Sequence, residues 1–308
     1  MERIKQALEK AREERVKIGG APATFAAAEG TIPADQIMYT HTRTEEVPVN
    51  FLREMRVITA VGPGGFTDAY AILRTQILQR LREKQWNALA ITSADAHEGK
   101  TLTAINLAIS LAKEVDYTVL LVDANLRNPN IHSYFGINPE HGLSDYLTDD
   151  VPLPDLLIHP SGIGRFVILP GGRPLEHSSE MLNSPKMARL VEELKTRYSS
   201  RIVLFDLPPL LSTADTLAFS PYVDAALLVI EEGRTSAHEI ESATELLVQN
   251  TNLIGTVLNK SQPSRSAGRQ HATAFDRKSG HLPDDRFLSA VRMRLQAWSG
   301  RLLRKIRN

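Results

Sequence analysis

The sequence contains no cysteine, which excludes disulfide bonds and thiolate metal sites. Its 36 basic and 36 acidic residues give a formal net charge of zero at pH 7, so no overall attraction to nucleic acid is indicated. No apolar run approaches the roughly 20 residues that a helix needs to span a bilayer. The first residues, MERIKQALEKAREER, are charged throughout, unlike a signal peptide. We therefore expect a soluble or peripheral protein of the cytoplasm that does not bind nucleic acid.

The most informative stretch is residues 88–101, in which an apolar run of the kind found in buried strands leads into a phosphate-loop pattern. Residues 94–101 (ADAHEGKT) match G-x-x-x-x-G-K-[ST] at every fixed place except the first, where Ala94 replaces glycine. A helical periodicity follows as far as Lys113. A loop that enters a helix turns its N–H groups, and the positive end of the helix dipole, towards phosphates.

Within this loop, Lys100 can reach the outer phosphates and the Thr101 hydroxyl can bind Mg²⁺. Gly99 lets the backbone approach the phosphates without a Cβ in the way. The alternative is an ordinary strand–turn–helix corner that binds no ligand. The residues that we expect to contact the nucleotide are Ala96, His97, Glu98, Gly99, Lys100, Thr101 and Leu102.

Two more apolar runs end in a carboxylate. Residues 118–122 are followed by Asp123, and residues 202–205 are followed by Asp206-Leu-Pro-Pro209. Each carboxylate lies at the carboxyl end of a predicted parallel strand, the edge at which open α/β sheets bind ligands. We therefore predict a Mg·nucleotide site with Thr101, Asp123 and Asp206 as metal ligands. A helix cap or a turn is the alternative role for either aspartate taken alone.

Strand and helix patterns alternate through the middle of the chain, which favours an α/β fold with a doubly wound, mostly parallel sheet. We predict four parts: an N-terminal helix and flexible linker (1–54), a nucleotide-binding domain (55–262), a disordered linker (263–285) and a basic amphipathic helix (286–308). The predicted strands are 55–59, 88–92, 118–122, 166–169, 202–205, 225–230 and 254–258, and the longer predicted helices are 66–84, 101–113, 185–198 and 236–250.

The last part, 286–308, carries six arginines and one lysine with no acidic residue. Its large apolar residues, among them Phe287, Val291 and Trp298, would share one face of a helix. This is the pattern of a helix that lies on an anionic membrane surface. The alternative is a terminal helix packed on the domain or on a helix of a partner.

With these motifs in place, residues 66–262 resemble the bacterial tyrosine kinases of capsular and exopolysaccharide synthesis, a group within the MinD/ParA-like P-loop ATPases. The family's Asp-x-Asp-x-Arg motif reads Asp123-Ala-Asn125-Leu-Arg127 here, and its Asp-x-Pro-Pro motif begins at Asp206. The resemblance implies phosphoryl transfer from ATP with Mg²⁺, with Lys100, Asp123 and Arg127 as catalytic residues. A surface salt bridge is the alternative role for Arg127.

The resemblance also places Asn259 against the adenine. It implies a homo-oligomer at the inner face of the cell membrane, activated by a transmembrane polysaccharide co-polymerase. The N-terminal helix and linker are similar to those of the subgroup associated with exosortase-type loci.

Three departures from the family pattern bear on activity. Asn125 stands where the family has a second aspartate, and the family's Glu-x-x-Arg-x-x-Arg motif reads Asp68-x-x-Ala71-x-x-Arg74. The last tyrosine is Tyr222, whereas these kinases carry a C-terminal tyrosine cluster. ATP binding is compatible with all three departures, but tyrosine autophosphorylation is put in question.

Two other functions therefore stay open. The first is a MinD/ParA-like ATPase switch, although Asp95 occupies the place of the signature lysine of such ATPases. The second is a nucleotide-bound scaffold of the polysaccharide assembly complex that catalyses weakly or not at all.

Overall fold

A nine-stranded sheet forms the centre of the fold in the computed structural model, which describes residues 42–59, 61–198 and 200–261 and the backbone of 290–293. The strands are β1 (Arg43–Glu45), β2 (Ala88–Ser93), β3 (Thr118–Asp123), β4 (Ile158–Pro160), β5 (Phe166–Leu169), β6 (Arg201–Asp206), β7 (Ala225–Glu231), β8 (Asn252–Ser261) and β9 (Ala290–Met293). Their order across the sheet is β1-β4-β5-β3-β6-β2-β7-β8-β9.

Six neighbouring strands of the sheet, in the order β5-β3-β6-β2-β7-β8, run parallel to one another. At the two ends of this block, β4 pairs antiparallel with β5 and β9 pairs antiparallel with β8. All residues of β2 and nearly all of β3, β6 and β7 are buried, as expected for parallel strands that are covered on both faces. The predicted doubly wound, mostly parallel sheet is confirmed.

Helices cover both faces of the sheet. They are α1 (Val49–Glu54), α2 (Gly65–Lys84), α3 (Lys100–Leu111), α4 (Ile131–Phe135), α5 (Leu143–Asp149), α6 (Leu153–Leu156), α7 (Ser178–Leu182), α8 (Pro185–Thr196), α9 (Asp215–Phe219), a 3₁₀ turn (Ser220–Tyr222) and α10 (Ala237–Asn250). Among the helices of the described residues, none combines the length and the apolar character required to cross a membrane.

Two hydrophobic cores lie on opposite faces of the sheet because alternate residues of a strand point to opposite sides. Leu89 and Ile91 of β2 pack in the core that includes α2 and α3, whereas Ala88 and Ala90 pack in the core that includes α8 and α10. The predicted stripe of α2 (Tyr70, Leu73, Ile77 and Leu81) is buried in the first core. Since α3 directly follows the loop after β2, this packing fixes the loop between two buried elements.

The predicted strand at 55–59 is wrong. The chain forms α1 and then a turn, in which Arg56 has a φ of 60°. Asn106 of α3 holds this turn, because its Oδ1 accepts a hydrogen bond from the Ile58 N–H at 3.0 Å and its Nδ2 donates to the Arg56 carbonyl at 3.1 Å. Burial of Val57 and Ile58 on α3 accounts for the apolar residues that suggested a strand.

The domain also begins earlier than the predicted boundary at 54/55. β1 pairs in parallel with β4, and Leu52 of α1 lies in the core with α2 and α3. Residues 43–54 therefore belong to the domain and not to a linker. The predicted N-terminal helix lies outside the described residues.

The predicted helix over 286–308 is wrong where the structure describes it. The backbone of β9 pairs antiparallel with β8, with Leu258 opposite Arg292 and Ser261 opposite Ala290. Without this pairing, β8 would present unpaired backbone groups along the edge of the sheet. A strand at 290–293 interrupts the helical face on which the membrane-surface interpretation depended. The linker predicted at 263–285 and the remainder of 286–308 lie outside the described residues.

Candidate nucleotide-binding site

The predicted site residues meet at the carboxyl edge of the parallel strands. β3, β6 and β2 are neighbours in the sheet, so Asp123, Asp206 and the loop after β2 end side by side. Asp123 and Asp206 are direct partners in the register of β3 with β6. Thr101 and Asp206 are 105 positions apart in the sequence and are in hydrogen-bond contact here.

The loop of residues 94–99 curls back towards the start of α3. His97 and Gly99 have φ values of 66° and 90°, in the left-handed region that glycine tolerates best. A Cβ at position 99 would lie 2.2 Å from Nδ2 of Asn259, so glycine is also required by the approach of β8. Two contacts from β8 hold the loop from this side: Asn259 Nδ2 donates to the Glu98 carbonyl, and Lys260 Nζ donates to the His97 carbonyl, each at 2.8 Å.

Lys100, Thr101 and Asp206 form a buried group at the start of α3. The Thr101 hydroxyl donates to Asp206 Oδ2 at 2.7 Å, and Lys100 Nζ donates to Thr101 Oγ1 at 3.1 Å. Lys100 Nζ lies 3.6 Å from Asp206 Oδ1, which is an electrostatic contact and too long for a hydrogen bond. Oδ1 is accordingly a buried acceptor without a hydrogen bond from the described residues.

Asp123 has a structural contact in addition to its place at the site. Its Oδ2 accepts hydrogen bonds from the backbone N–H groups of Asn130 and Ile131, at 2.8 and 2.9 Å, and so caps the start of α4. Its Oδ1 accepts from the Asn125 N–H at 3.3 Å. The helix-cap alternative for Asp123 is therefore realised without excluding a role at the site.

Both carboxyl groups are electrostatically strained. Burial, and then the charge of Asp206, raises the pKa of Asp123 to about 7, although the two backbone hydrogen bonds and Lys100 act in the opposite direction. Burial also raises the pKa of Asp206, against the charge of Lys100 and the hydrogen bond from Thr101. Two adjacent buried carboxyl groups with raised pKa values favour a site that receives a cation.

These residues fit Mg²⁺ and a nucleotide. Mg²⁺ prefers hard oxygen ligands, usually one or two carboxylates together with phosphate oxygens. Asp206 Oδ1 offers a buried oxygen without a hydrogen bond, the Thr101 hydroxyl lies beside it, and Asp123 adds a second carboxyl group. The loop, Lys100 and the 12-residue helix α3 supply the positive potential that phosphates require.

Arg127 contacts a residue that the sequence did not single out. Its Nε lies 3.1 Å from Oδ1 of Asp215, which is fully buried at the start of α9. The Ser178 hydroxyl donates to the other oxygen of Asp215. The salt-bridge alternative for Arg127 is thus realised. In the sequence, Asp215 is marked only as an acidic residue at the start of a helical segment. No motif connects it with Arg127, which is 88 positions away.

A cleft of about 410 Å³ lies at the other edge of the sheet, near the amino ends of β2, β3 and β6. Its cationic side chains are engaged within the protein: Arg82 donates to the Tyr117 hydroxyl at 2.9 Å, Lys195 pairs with Asp224 at 2.6 Å, and Arg201 stacks on the Tyr198 ring. The predicted nucleotide site, at the carboxyl ends of the strands, is therefore separate from this cleft at their amino ends.

Comparison with known protein families agrees with this geometry. The family model of the CobQ/CobB/MinD/ParA nucleotide binding domain matches residues 89–294. The matched range begins in β2 and contains the phosphate loop, both strand-end aspartates and Asn259.

Among known relatives, tyrosine-protein kinase YwqD of Bacillus subtilis (strain 168) is 31% identical over 200 residues, which are 65% of this chain and 83% of YwqD. Tyrosine-protein kinase etk of Escherichia coli (strain K12) is 33% identical over 193 residues, or 62% of this chain and 26% of etk. The succinoglycan biosynthesis transport protein ExoP of Rhizobium meliloti (strain 1021) is 30% identical over 230 residues, or 71% of this chain and 28% of ExoP. The chain spans about a quarter of the length of etk and of ExoP.

A solved structure is similar over most of the chain. The kinase domain of Escherichia coli tyrosine kinase ETK superposes with a TM-score of 0.62 at 28% identity, covering 79% of this chain and 89% of that domain.

Proposed function

We propose that this chain, which belongs to the CobQ/CobB/MinD/ParA nucleotide-binding family and within it to the bacterial tyrosine-protein kinases, transfers a phosphoryl group from ATP to a tyrosyl hydroxyl. The observation that carries the proposal is the contact of Lys100 and Thr101 with Asp206, in register with Asp123 at the carboxyl edge of the sheet. Phosphoryl transfer needs little covalent chemistry from the protein, so positioning and charge neutralisation are the main requirements.

In this proposal the loop of residues 96–102 binds the phosphates through its backbone N–H groups, and Lys100 binds the outer phosphates. Lys100 is already held at the start of α3 by Thr101 and by the charge of Asp206. Asn259 lies next to the loop through its contact with the Glu98 carbonyl, which supports its assignment to the adenine side.

Thr101 and Asp206, with Asp123 beside them, would hold Mg²⁺. When bound, the metal ion would neutralise charge on the phosphates and on the two carboxyl groups. The Thr101 hydroxyl donates its hydrogen to Asp206 Oδ2 and accepts a hydrogen bond from Lys100 Nζ, so its oxygen keeps one lone pair for a cation.

Asp123 is the candidate general base for the tyrosyl hydroxyl. Without a ligand the pKa of Asp123 is about 7, and a bound cation would lower it, so Asp123 would be ionised and able to accept a proton at neutral pH. Its Oδ2 is bound to two N–H groups of α4, so the less strongly bound Oδ1 is the oxygen that we assign to the proton.

Arg127 has a different role in this proposal from the one that the family motif implies. Its ion pair with the buried Asp215 makes it a residue that positions the loop after β3, with about 44% of its side chain exposed. We therefore assign Arg127 to the ion pair with Asp215 and not to a contact with the phosphates of ATP.

We place this activity in bacterial exopolysaccharide or capsule synthesis, at the inner face of the cell membrane. The name of ExoP supports that setting, because it is a succinoglycan biosynthesis transport protein. A transmembrane co-polymerase as activator and assembly into a homo-oligomer are part of the proposal.

A nucleotide-bound scaffold remains the second candidate, since Asn125 replaces a family aspartate and Arg127 is bound to Asp215. An ATPase switch is less favoured. Asp95, at the place of the signature lysine, accepts a hydrogen bond from the Ser212 hydroxyl at 3.1 Å and brings negative charge to the rim of the loop.

The test is to incubate the full chain with Mg²⁺ and ATP labelled in its γ-phosphate, with and without a tyrosine-containing polymer as acceptor. A kinase gives labelled phosphotyrosine. An ATPase switch gives free phosphate without phosphoprotein, and a scaffold binds ATP but gives neither product. Absence of phosphotyrosine on both the chain and the acceptor would overturn the kinase proposal.

A further inference from the structure

The phosphate loop contains a buried carboxylate that the proposed chemistry does not use. The Glu98 side chain lies inside the loop, and Glu98 is 1% exposed. A negative charge at this position repels phosphates, so by charge alone it weakens the binding of an anionic ligand. We therefore expect Glu98 to stabilise the shape of the loop in a way that offsets this repulsion.

Both oxygens of this carboxylate accept hydrogen bonds from the protein. Oε2 accepts from the Asp95 N–H at 2.9 Å, at the start of the loop. Oε1 accepts from the Thr235 hydroxyl, on the turn between β7 and α10. Bonds to a charged acceptor are roughly twice as strong as neutral ones, so they hold the loop firmly in one shape.

Thr235 is a fixed anchor for this contact. Its Oγ1 accepts a hydrogen bond from the Glu231 N–H at 2.8 Å, and its own N–H donates to the Glu231 carbonyl at 3.1 Å. The next residue, Ser236, caps α10. The turn that carries Thr235 is therefore set by the end of β7 and the start of α10.

The main chain of the same residue contacts β8. Asn259 Nδ2 donates to the Glu98 carbonyl at 2.8 Å, which fixes the direction in which the Asn259 amide faces. Glu98 thus links the phosphate loop to the β7–α10 turn by its side chain and to the residue assigned to adenine by its main chain.

We propose that Glu98 is a positioning residue that couples the phosphate site to the base site of the purine nucleoside triphosphate, with Thr235 as its anchor. This inference rests on the proposed function for the identity of the ligand, ATP, and for the assignment of Asn259 to the adenine. It predicts that loss of the Glu98–Thr235 contact weakens ATP binding even though it removes no group that touches the nucleotide. It also predicts that removing the negative charge does not strengthen binding.

The experiment measures the Kd for Mg·ATP and for Mg·tripolyphosphate by calorimetry, with the full chain and with variants. Thr235→Val keeps the shape of the side chain and removes the hydroxyl, and we expect a rise in the Kd for Mg·ATP of about tenfold. Thr235→Ser keeps the hydroxyl and is expected to stay within about twofold of the wild type. Glu98→Ala should raise the Kd at least as much as Thr235→Val, and the double variant should bind no more weakly than Glu98→Ala.

Glu98→Gln separates positioning from charge. If charge repulsion dominates, this variant binds Mg·ATP more tightly than the wild type, and the proposal is overturned. If positioning dominates, its affinity falls between those of the wild type and Glu98→Ala, because glutamine keeps one acceptor. Mg·tripolyphosphate tests the base side, because it carries the phosphates without a base. If the two sites are coupled, the variants lose more affinity for Mg·ATP than for Mg·tripolyphosphate.

Equal affinity of Thr235→Val and wild type for Mg·ATP would overturn the inference. Binding is measured here without turnover. A wild type that binds Mg·ATP but forms no phosphotyrosine would therefore remove the proposed kinase function and leave the role of Glu98 to be decided by these affinities.

Discussion

At the scale of single residues, the most unusual feature is the pair of buried carboxyl groups at the ends of β3 and β6. Burial and the neighbouring Asp206 raise the pKa of Asp123 to about 7, so without a ligand Asp123 keeps its proton to a much higher pH than an exposed aspartate does. Lys100 is the cation nearest to Asp206, at 3.6 Å from Oδ1. A bound cation would allow both groups to ionise, so ligand binding and proton release are expected to be linked.

We predict that Asp123 makes the stability of the nucleotide-free protein fall as the pH rises from about 4 to about 7. Its folded pKa of about 7 lies above the ordinary value of 3.8 for an aspartate, so the folded state holds the proton more tightly than the unfolded state. The stabilisation is therefore present at low pH and is lost as the pH rises through the folded pKa. The slope from this group is at most about 1.4 kcal/mol per pH unit.

Urea unfolding between pH 4 and 8 checks this prediction, with Asp123→Asn as the comparison. The amide keeps an acceptor for the N–H groups of Asn130 and Ile131 but does not titrate. The difference in unfolding free energy between the two proteins should change with pH in the stated direction. A difference that is constant over this range would show that Asp123 is ionised throughout.

A second residue-scale prediction concerns Asn125. Asn125 is buried, and its N–H donates to Asp123 Oδ1 at 3.3 Å. Asn125→Asp adds a third carboxyl group to a buried pair, so we expect lower stability of the nucleotide-free protein. Phosphoryl transfer should change by less than about tenfold, because Asp123 and Asp206 already supply the two carboxyl groups. A gain above about tenfold, or roughly 1.4 kcal/mol of barrier, would show that Asn125 impairs the wild type.

At the scale of secondary-structure elements, α3 joins the nucleotide site to the N-terminal edge of the domain. It begins at the phosphate loop with Lys100 and Thr101, and about one and a half turns later its buried Asn106 holds the turn after α1. That turn buries Val57 and Ile58 against the core of α2 and α3. The position of α3 is therefore set by packing on several sides, which keeps the loop in place.

Asn106→Ala is predicted to lower the free energy of unfolding by roughly 2–4 kcal/mol, because it leaves the buried Ile58 N–H and the Arg56 carbonyl without their partner. Asn250→Ala is the matched control. Asn250 also donates to a carbonyl, that of Leu246 at 2.8 Å, but on an exposed surface, so we expect a loss below about 1 kcal/mol. Chemical denaturation of both variants checks the difference. Similar losses would mean that the turn at 56–58 does not depend on Asn106.

The elements that could be predicted from the sequence are those with a strong local pattern. The buried strands 118–122 and 225–230 can be predicted from continuous apolar runs, and the stripe of α2 from a helical periodicity that is long and uninterrupted. The turn at 55–59 cannot be predicted, because its pattern alone does not distinguish an apolar run in a turn from a short strand. The strand β9 cannot be predicted either, because its own residues carry no sign of the edge of β8 with which they pair.

At the scale of the whole molecule, the sheet order brings together residues that are distant in the sequence. The shared edge of Lys100, Thr101, Asp123 and Asp206 could be predicted, because parallel strands end at one side of the sheet. The pairing of Arg127 with Asp215 and that of Glu98 with Thr235 could not, since each depends on how loops from different strands meet. Those contacts have no periodicity or motif of their own.

The most direct test of a Mg·ATP site at Lys100, Thr101 and Asp206 is the Mg·ATP affinity of Lys100→Met against that of the wild type. Methionine keeps the apolar stem of this largely buried side chain and removes the charge, so we expect the fold to survive. If Lys100 binds the phosphates, we expect Lys100→Met to bind Mg·ATP about 100-fold more weakly than the wild type, a loss of about 2.7 kcal/mol. A folded Lys100→Met that binds Mg·ATP as tightly as the wild type would contradict the assignment of this loop to the phosphates.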